Sequence, residues 1–326
     1  MGRDEVVSAG AGAGARTGQG PGAPDGVALA HWFAEHRRDL PWRDPGTTPW
    51  GVLVSEVMSQ QTPVARVAPV WQEWMARWPA PADLARAQTA EVLRAWGNLG
   101  YPRRALRLIE CAQALATRHG GRLPTELDEL LALPGVGQYT AGAVMAFAYG
   151  RRALTLDTNV RRVLARAVGG TALPPPSLGR AERERAEALL PGDDAEAARW
   201  SMAVMELGAL VCTAKDPRCA QCPWRPGCAW QAAGRPADAH AGRRRVQAWH
   251  GTDRQARGMV MARLRATGPG EVLSRAELLA AARRAGERAA GGAGDADPDQ
   301  PERALASLEA DGLIVSRDAG ASFALP

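Results

Sequence analysis

Four cysteines, Cys212, Cys219, Cys222 and Cys228, stand in the spacing C-x6-C-x2-C-x5-C, and no other feature of this 326-residue chain constrains its fold as tightly. Thiolates packed into so short a loop can all reach one centre. Four sulfur ligands without a nearby histidine suit an iron-sulfur cluster or a structural zinc. Zinc ribbons usually divide their ligands into two C-x2-C pairs, whereas this run holds one such pair flanked by wider gaps, which favours an iron-sulfur cluster. Two disulfides are the bland alternative; the chain opens without an apolar leader, so a reducing compartment is expected. Cys111, within helical text, is expected to be a buried thiol.

The length allows two or three domains with a sizeable core. No apolar run approaches the roughly 20 residues needed to cross a bilayer, so a soluble, cytoplasmic, nucleoid-associated bacterial protein without a membrane partner is expected. The formal net charge of +5 and pI near 9.3 favour a polyanionic partner. The basic residues are 39 arginines and a single lysine, Lys215, inside the cysteine loop. Schiff-base chemistry by a lysine side chain therefore has one candidate.

Residues 1–25, rich in Gly, Ala and Pro without periodicity, are expected to form a disordered tail. From Val27 to about Trp230 apolar residues recur at helical spacing and alternating strand patterns are absent, which predicts an all-α core of short helices. Breakers such as Pro79-Ala80-Pro81, Gly120-Gly121 and Pro134-Gly135 divide it. An Arg-rich linker is expected over 234–245. Beyond it, 246–326 reads as a small winged-helix-like α+β unit: helices, a Ser274/Glu277 capping box, a Gly/Asp-rich break at Gly291–Asp299, and two short apolar runs joined across Asp318-Ala319-Gly320.

Leu133-Pro134-Gly135-Val136-Gly137 lies between two helical segments. Its glycines let backbone N–H groups at the start of the second helix approach a phosphate, where the helix dipole also favours negative charge. A plain helix connection is the alternative. Twenty residues after Gly137, Asp157 precedes the amphipathic run from Val160 to Leu164 and reads as an N-cap; a carboxylate accepting helix N–H bonds is expected to have a depressed pKa.

A helix-hairpin-helix, an Asp about 20 residues on and the cysteine loop, in that order, resemble the endonuclease III superfamily of DNA base-excision glycosylases over residues 27–230. The finer resemblance is to the MutY-type adenine DNA glycosylases. It is carried by Leu40-Pro41-Trp42-Arg43, by Ser55-Glu56-Val57-Met58-Ser59-Gln60-Gln61-Thr62, by Leu99-Gly100-Tyr101, and by Tyr139-Thr140-Ala141-Gly142-Ala143. The resemblance implies the helix-hairpin-helix glycosylase fold: a six-helix lobe over 45–152, and a cluster lobe made of 26–44 and 153–233.

It further implies that Glu56 protonates adenine N7 and that Asp157 faces the oxocarbenium-like sugar, with Tyr139 and Asn159 assisting. The apolar neighbours of Glu56 should themselves raise its pKa. Trp42, Arg43 and Glu206 are implied to line the adenine pocket together with Thr62. Gln61 and Tyr101 resemble wedges that open the base stack, Gly135 and Gly137 contact the DNA backbone, and Cys212, Cys219, Cys222 and Cys228 hold a 4Fe-4S cluster. The implied partner is duplex DNA carrying A:8-oxoguanine or A:G mispairs, bound by a monomer.

Bifunctional relatives carry a lysine where this chain has Tyr139, which implies a monofunctional enzyme without efficient lyase activity. Ser59 departs from the family's usual apolar residue, and Pro102 from a second Tyr. The 246–326 unit is too short and helical for the nudix-like domain that many relatives use to read 8-oxoguanine. A glycosylase of other base specificity, or a non-catalytic iron-sulfur redox sensor that binds DNA, are the rival readings.

Overall fold

The computed structural model describes residues 24–243, 249–287 and 297–326. Most of the expected tail, the end of the expected linker and much of the Gly291–Asp299 break lie outside the described residues. Helix α1 (Gly26–His36) is capped by the Asp25 carboxylate, which accepts from the amides of Val27 and Ala28. Next come α2 (Pro49–Ser59), α3 (Val64–Arg77), α4 (Pro81–Ala85), α5 (Thr89–Trp96), α6 (Arg103–Arg118), α7 (Leu127–Leu131) and α8 (Gln138–Phe147). The six helices expected over 45–152 thus appear as seven segments, because the turn at Ala87-Gln88 separates the five-residue α4 from α5. The chain continues through α9 (Thr158–Ala167), α10 (Arg180–Leu189), α11 (Asp194–Leu210) and α12 (Ala229–Ala232).

Helix α2 is the pivot of the first lobe. Thr48 caps it, Pro49 occupies its first turn, and every residue from Trp50 to Met58 is buried, as expected of a helix apolar on nearly all sides. Trp74 packs edge-on against Trp78 and Trp96 at ring separations of 4.9 and 5.5 Å, so these tryptophans are core, not surface platforms. Cys111 is buried in the same core. A second apolar cluster joins Leu29, Trp32 and Phe33 of α1 to Val160 and Val163 of α9, Val204 and Leu207 of α11, and Trp224. Thus α1 packs far from its sequence neighbours, with the Trp224 indole donating to Asp25 O at 2.8 Å.

The C-terminal unit holds α13 (Asp253–Arg265), β1 (Leu273–Ser274), α14 (Arg275–Glu287), α15 (Gln300–Ala310), β2 (Val315–Arg317) and β3 (Ser322–Ala324). Its antiparallel sheet has the order β1-β3-β2, with Leu273 opposite Phe323 and Val315 opposite Ala324. Ser274 and Glu277 form the reciprocal capping box. Three helices and a terminal hairpin give the winged-helix-like arrangement. The unit seats on the α5–α6 turn: Arg94 donates to the carbonyls of Thr267 and Gly268, Arg265 to Asn98, and Arg103 pairs with Asp311. Among the described residues no helix is long and apolar enough to cross a membrane.

Candidate active site

The hairpin between α7 and α8 turns through Gly135 at φ +77°, a conformation natural to glycine, and a Cβ there would lie 2.8 Å from the Arg107 side chain. Gly137 is the N-cap of α8 and has open space where a side chain would stand. Tyr139, in the first turn of α8, reaches back to α2, and its phenolic O–H donates to Glu56 Oε2 at 2.9 Å. Gly142 allows α8 to close on the segment ahead of α9: a Cβ there would meet Leu154 O at 2.4 Å. That contact brings the Asp157 end of α9 toward the Tyr139–Glu56 pair.

Glu56 is 9% exposed. Burial lifts its pKa from 4.5 to about 7; the Tyr139 hydrogen bond and Arg43 oppose the rise, and the Asp157 charge adds to it. Asp157 caps α9 through Val160 N at 2.7 Å and accepts from Asn159 Nδ2 at 2.8 Å. Its pKa is nevertheless raised above 3.8, because burial outweighs those bonds and the nearby Arg162. The depressed value expected from capping alone does not hold: the cap is present, but burial of the carboxyl, which lies close to Glu56 and Tyr139, outweighs it. Burial and the two carboxyls together push the Tyr139 phenol well above 10.

Asn159 is held in turn. Arg162 donates to its Oδ1 at 2.8 Å, to Gly208 O at 2.7 Å and to Cys212 O at 2.7 Å. A Cβ on Gly208 would lie 2.7 Å from Asn159 Cβ, so α9 and α11 touch at this point. Continuous hydrogen bonds thus run from Asp157 to the first cysteine of the loop. The four cysteines are free thiols lining one small cavity together with Arg166, Val211 and Trp230. Arg166 donates to Cys212 Sγ at 3.4 Å and lies over the Trp230 ring. Among the described residues no three His, Cys, Asp or Glu side chains converge as a single ion requires, whereas a polynuclear cluster needs its thiolates spread around a wider space.

Not every expected pocket residue is placed alike. Trp42 packs edge-on against Trp71, and Arg43 is near enough to Glu56 to act on its charge. Glu206 is fully buried and serves a different end: it accepts from Arg38 N, Nε and Nη2 and from Arg43 Nη2, all at 2.8–2.9 Å, and its pKa falls to about 2 against the cost of burial. Its carboxylate anchors Arg43 and has no oxygen left for a ligand. Gln61 and Tyr101 are exposed and both have left-handed backbones, at φ +55° and +47°. Thr62 is buried and donates to Leu99 O, linking the two loops. Sequence reasoning missed Arg38, Arg162 and Arg104, each a buried or half-buried guanidinium joining segments distant in sequence; among 39 arginines no local signal marks them.

The HhH-GPD superfamily of base excision DNA repair proteins matches residues 54–187. The chain is 49% identical over 310 residues to the adenine DNA glycosylase of Mycobacterium tuberculosis, covering 94% of this chain and 95% of that one. It is similar to the structure of a thermostable thymine-DNA glycosylase, with a TM-score of 0.58, 28% identity, and coverage of 64% of this chain and 95% of the other. It also resembles endonuclease III trapped as a covalent intermediate with DNA, with a TM-score of 0.55, 25% identity, and coverage of 65% and 95%. With Glu56, Tyr139 and Asp157 gathered between the hairpin and the cysteine lobe, and near-complete coverage by a relative of that kind, the chain belongs to the adenine DNA glycosylases of the HhH-GPD base excision repair superfamily.

Proposed function

We propose that this protein excises adenine mispaired with 8-oxoguanine or guanine in duplex DNA, by hydrolysis and without an efficient strand-cutting step. The observation that carries the reading is the pairing of a buried and a half-buried carboxyl in unlike environments. Glu56, near pKa 7, holds a transferable proton at neutral pH, while Asp157 keeps hydrogen-bond donors that favour its anion. Glu56 gives its proton to N7 of the flipped adenine as the C1′–N9 bond breaks and the bonding electrons leave with the base. Asp157 as carboxylate stabilises the positive charge left on the sugar. Water adds at C1′, and its proton returns to a carboxylate. Tyr139 donates to one oxygen of Glu56 and leaves the other free to carry the acidic proton.

Cys212, Cys219, Cys222 and Cys228 would hold a 4Fe-4S cluster, which when bound supplies folding energy and shapes the loop that exposes Lys215, Arg218 and Arg225. These cations, with the open N-terminus of α8 at Gly137, suit contact with DNA phosphates. No lysine stands where Tyr139 meets Glu56, and Lys215 is exposed on the cysteine loop. The test is single-turnover release of adenine from duplexes holding one A:8-oxoguanine or A:G pair, with borohydride present in parallel. Adenine loss that leaves an alkali-labile, uncut strand is expected. Release of thymine or an oxidised pyrimidine in place of adenine, or efficient covalent trapping abolished by Lys215→Ala, overturns the reading.

A further inference from the structure

Arg104, in the first turn of α6, makes more hydrogen bonds than any catalytic candidate, and all of them go to the C-terminal end of α2 with the loop after it and to the loop after α5. Its Nη1 donates to the carbonyls of Val57, Met58 and Gln60 at 2.7, 3.1 and 2.7 Å. Its Nη2 donates to Thr62 Oγ1 at 3.1 Å and to the carbonyls of Leu99 and Gly100 at 3.2 and 3.0 Å. The Trp96 ring lies 5.2 Å away and the Tyr101 ring 5.5 Å. The first set of acceptors is the C-terminal end of α2, the helix that carries Glu56. Such carbonyls lack helical partners and bear the negative end of the helix dipole.

The second set leads directly to the other loop. Gln61 follows Gln60, and Tyr101 follows Gly100; both tips are exposed and left-handed, a conformation that a residue with a side chain keeps only when its surroundings impose it. Arg104 is the group common to both surroundings. A guanidinium has a planar fork that can bridge carbonyls on two separate segments, whereas an ammonium is a point charge.

We propose that Arg104 is a positioning residue for base extrusion, presetting Gln61 and Tyr101 as one unit at the end of the Glu56 helix so that both meet the duplex already in register. This rests on the adenine-excision reading, and adenine release by the parent chain tests that reading first. Absence of release there defeats the reading, and the proposal with it, before any Arg104 variant is made.

The direct probe is a duplex with 2-aminopurine at the target position opposite 8-oxoguanine, mixed in stopped flow with a full-length Glu56→Gln background that binds without chemistry. Adding Arg104→Lys is expected to slow the fluorescence rise roughly 10- to 100-fold, the effect of misplacing a preset group. Circular dichroism checks that the fold is kept, and in the Glu56 chain the pH midpoint of excision should stay in place. In a Gln61→Ala/Tyr101→Ala background the same lysine should add nothing. Extrusion at the parental rate, or an equal further loss in the double-alanine background, overturns the proposal. Should Arg104→Lys fail to fold, Thr62→Val removes one acceptor from the hub: slower extrusion supports the proposal and unchanged extrusion overturns it.

Discussion

Tyr139 donates to Oε2 of Glu56 across 2.9 Å, tying the first turn of the hairpin's second helix to the middle of a fully buried helix. The bond stabilises the charged form of Glu56, while burial stabilises the neutral form and prevails. The proton on Glu56 is therefore set by a contest between one phenol and the surrounding core. Replacing Tyr139 with Phe removes the weaker contestant. The pH midpoint for adenine release should move upward, measured as the alkaline limb of single-turnover rates against the parent.

The same carboxyl costs stability. A folded pKa of about 7 against an unfolded 4.5 means that the fold holds a proton which the unfolded chain has already lost. Stability should fall as pH rises from 4.5 to 7, by about 3 kcal/mol in all, at about 1.4 kcal/mol for each pH unit. Glu56→Gln should consequently unfold at higher denaturant concentration than the parent at pH 8, with the gap narrowing toward pH 5. Adenine release should meanwhile drop about 10²- to 10⁴-fold, the usual worth of a general acid. Equal stability of the two proteins at pH 8 would contradict the burial argument.

Asp157 has two roles that substitution can separate. Its Oδ1 caps α9, worth about 1 kcal/mol, and in the proposed reaction its charge stabilises the sugar cation. Asp157→Asn keeps an oxygen for the cap and loses the charge, so it should melt near the parent temperature yet release adenine far more slowly. Asp157→Ala should lose activity and also about 1 kcal/mol of stability. Calorimetry alongside single-turnover kinetics distinguishes the two.

How much of this was legible in the sequence depended on how far each argument had to reach. The cysteine loop, the hairpin and the buried setting of Glu56 are each encoded in one short stretch of sequence, and local pattern is enough. The Asp157 pKa is not legible in the sequence because its cap is local, whereas its neighbours Glu56 and Tyr139 come from α2 and α8. Glu206 was assigned to a pocket wall, but its partner Arg38 lies 168 positions away, and only the packing of α1 against α11 brings them together. Arg104 stayed hidden for the same reason: its acceptors lie up to 47 positions distant.

Iron should be integral to the fold. Cultures given ample iron and purified without oxygen should yield a brown protein with broad visible absorption, and Cys219→Ala should lower both iron content and the yield of soluble protein. Colourless protein with stoichiometric zinc would refute the cluster. The hydrogen bonds from Arg162 to Cys212 O and Asn159 Oδ1 predict that the loop's loss is also felt at Asp157.

Glu206 is the counterpart of Glu56, a second buried glutamate driven the opposite way. Two guanidiniums and a backbone amide hold its pKa near 2, so its charged form belongs to the fold. Since the folded pKa is below the unfolded one, its contribution is complete above pH 4.5 and is lost as pH falls toward 2. Glu206→Gln keeps the volume but leaves Arg38 and Arg43 without a counter-charge, which should cost about 3 kcal/mol at pH 7. Arg43, left with its bond to Arg38 O and its contact with the Phe33 ring, would also be freer to change its distance from Glu56, the group whose charge it favours. The expected result is a lower denaturation midpoint at pH 7, a difference that shrinks below pH 4.5, and a displaced alkaline limb for adenine release. A variant as stable as the parent at pH 7 would show that the Glu206 cluster contributes nothing net to the fold.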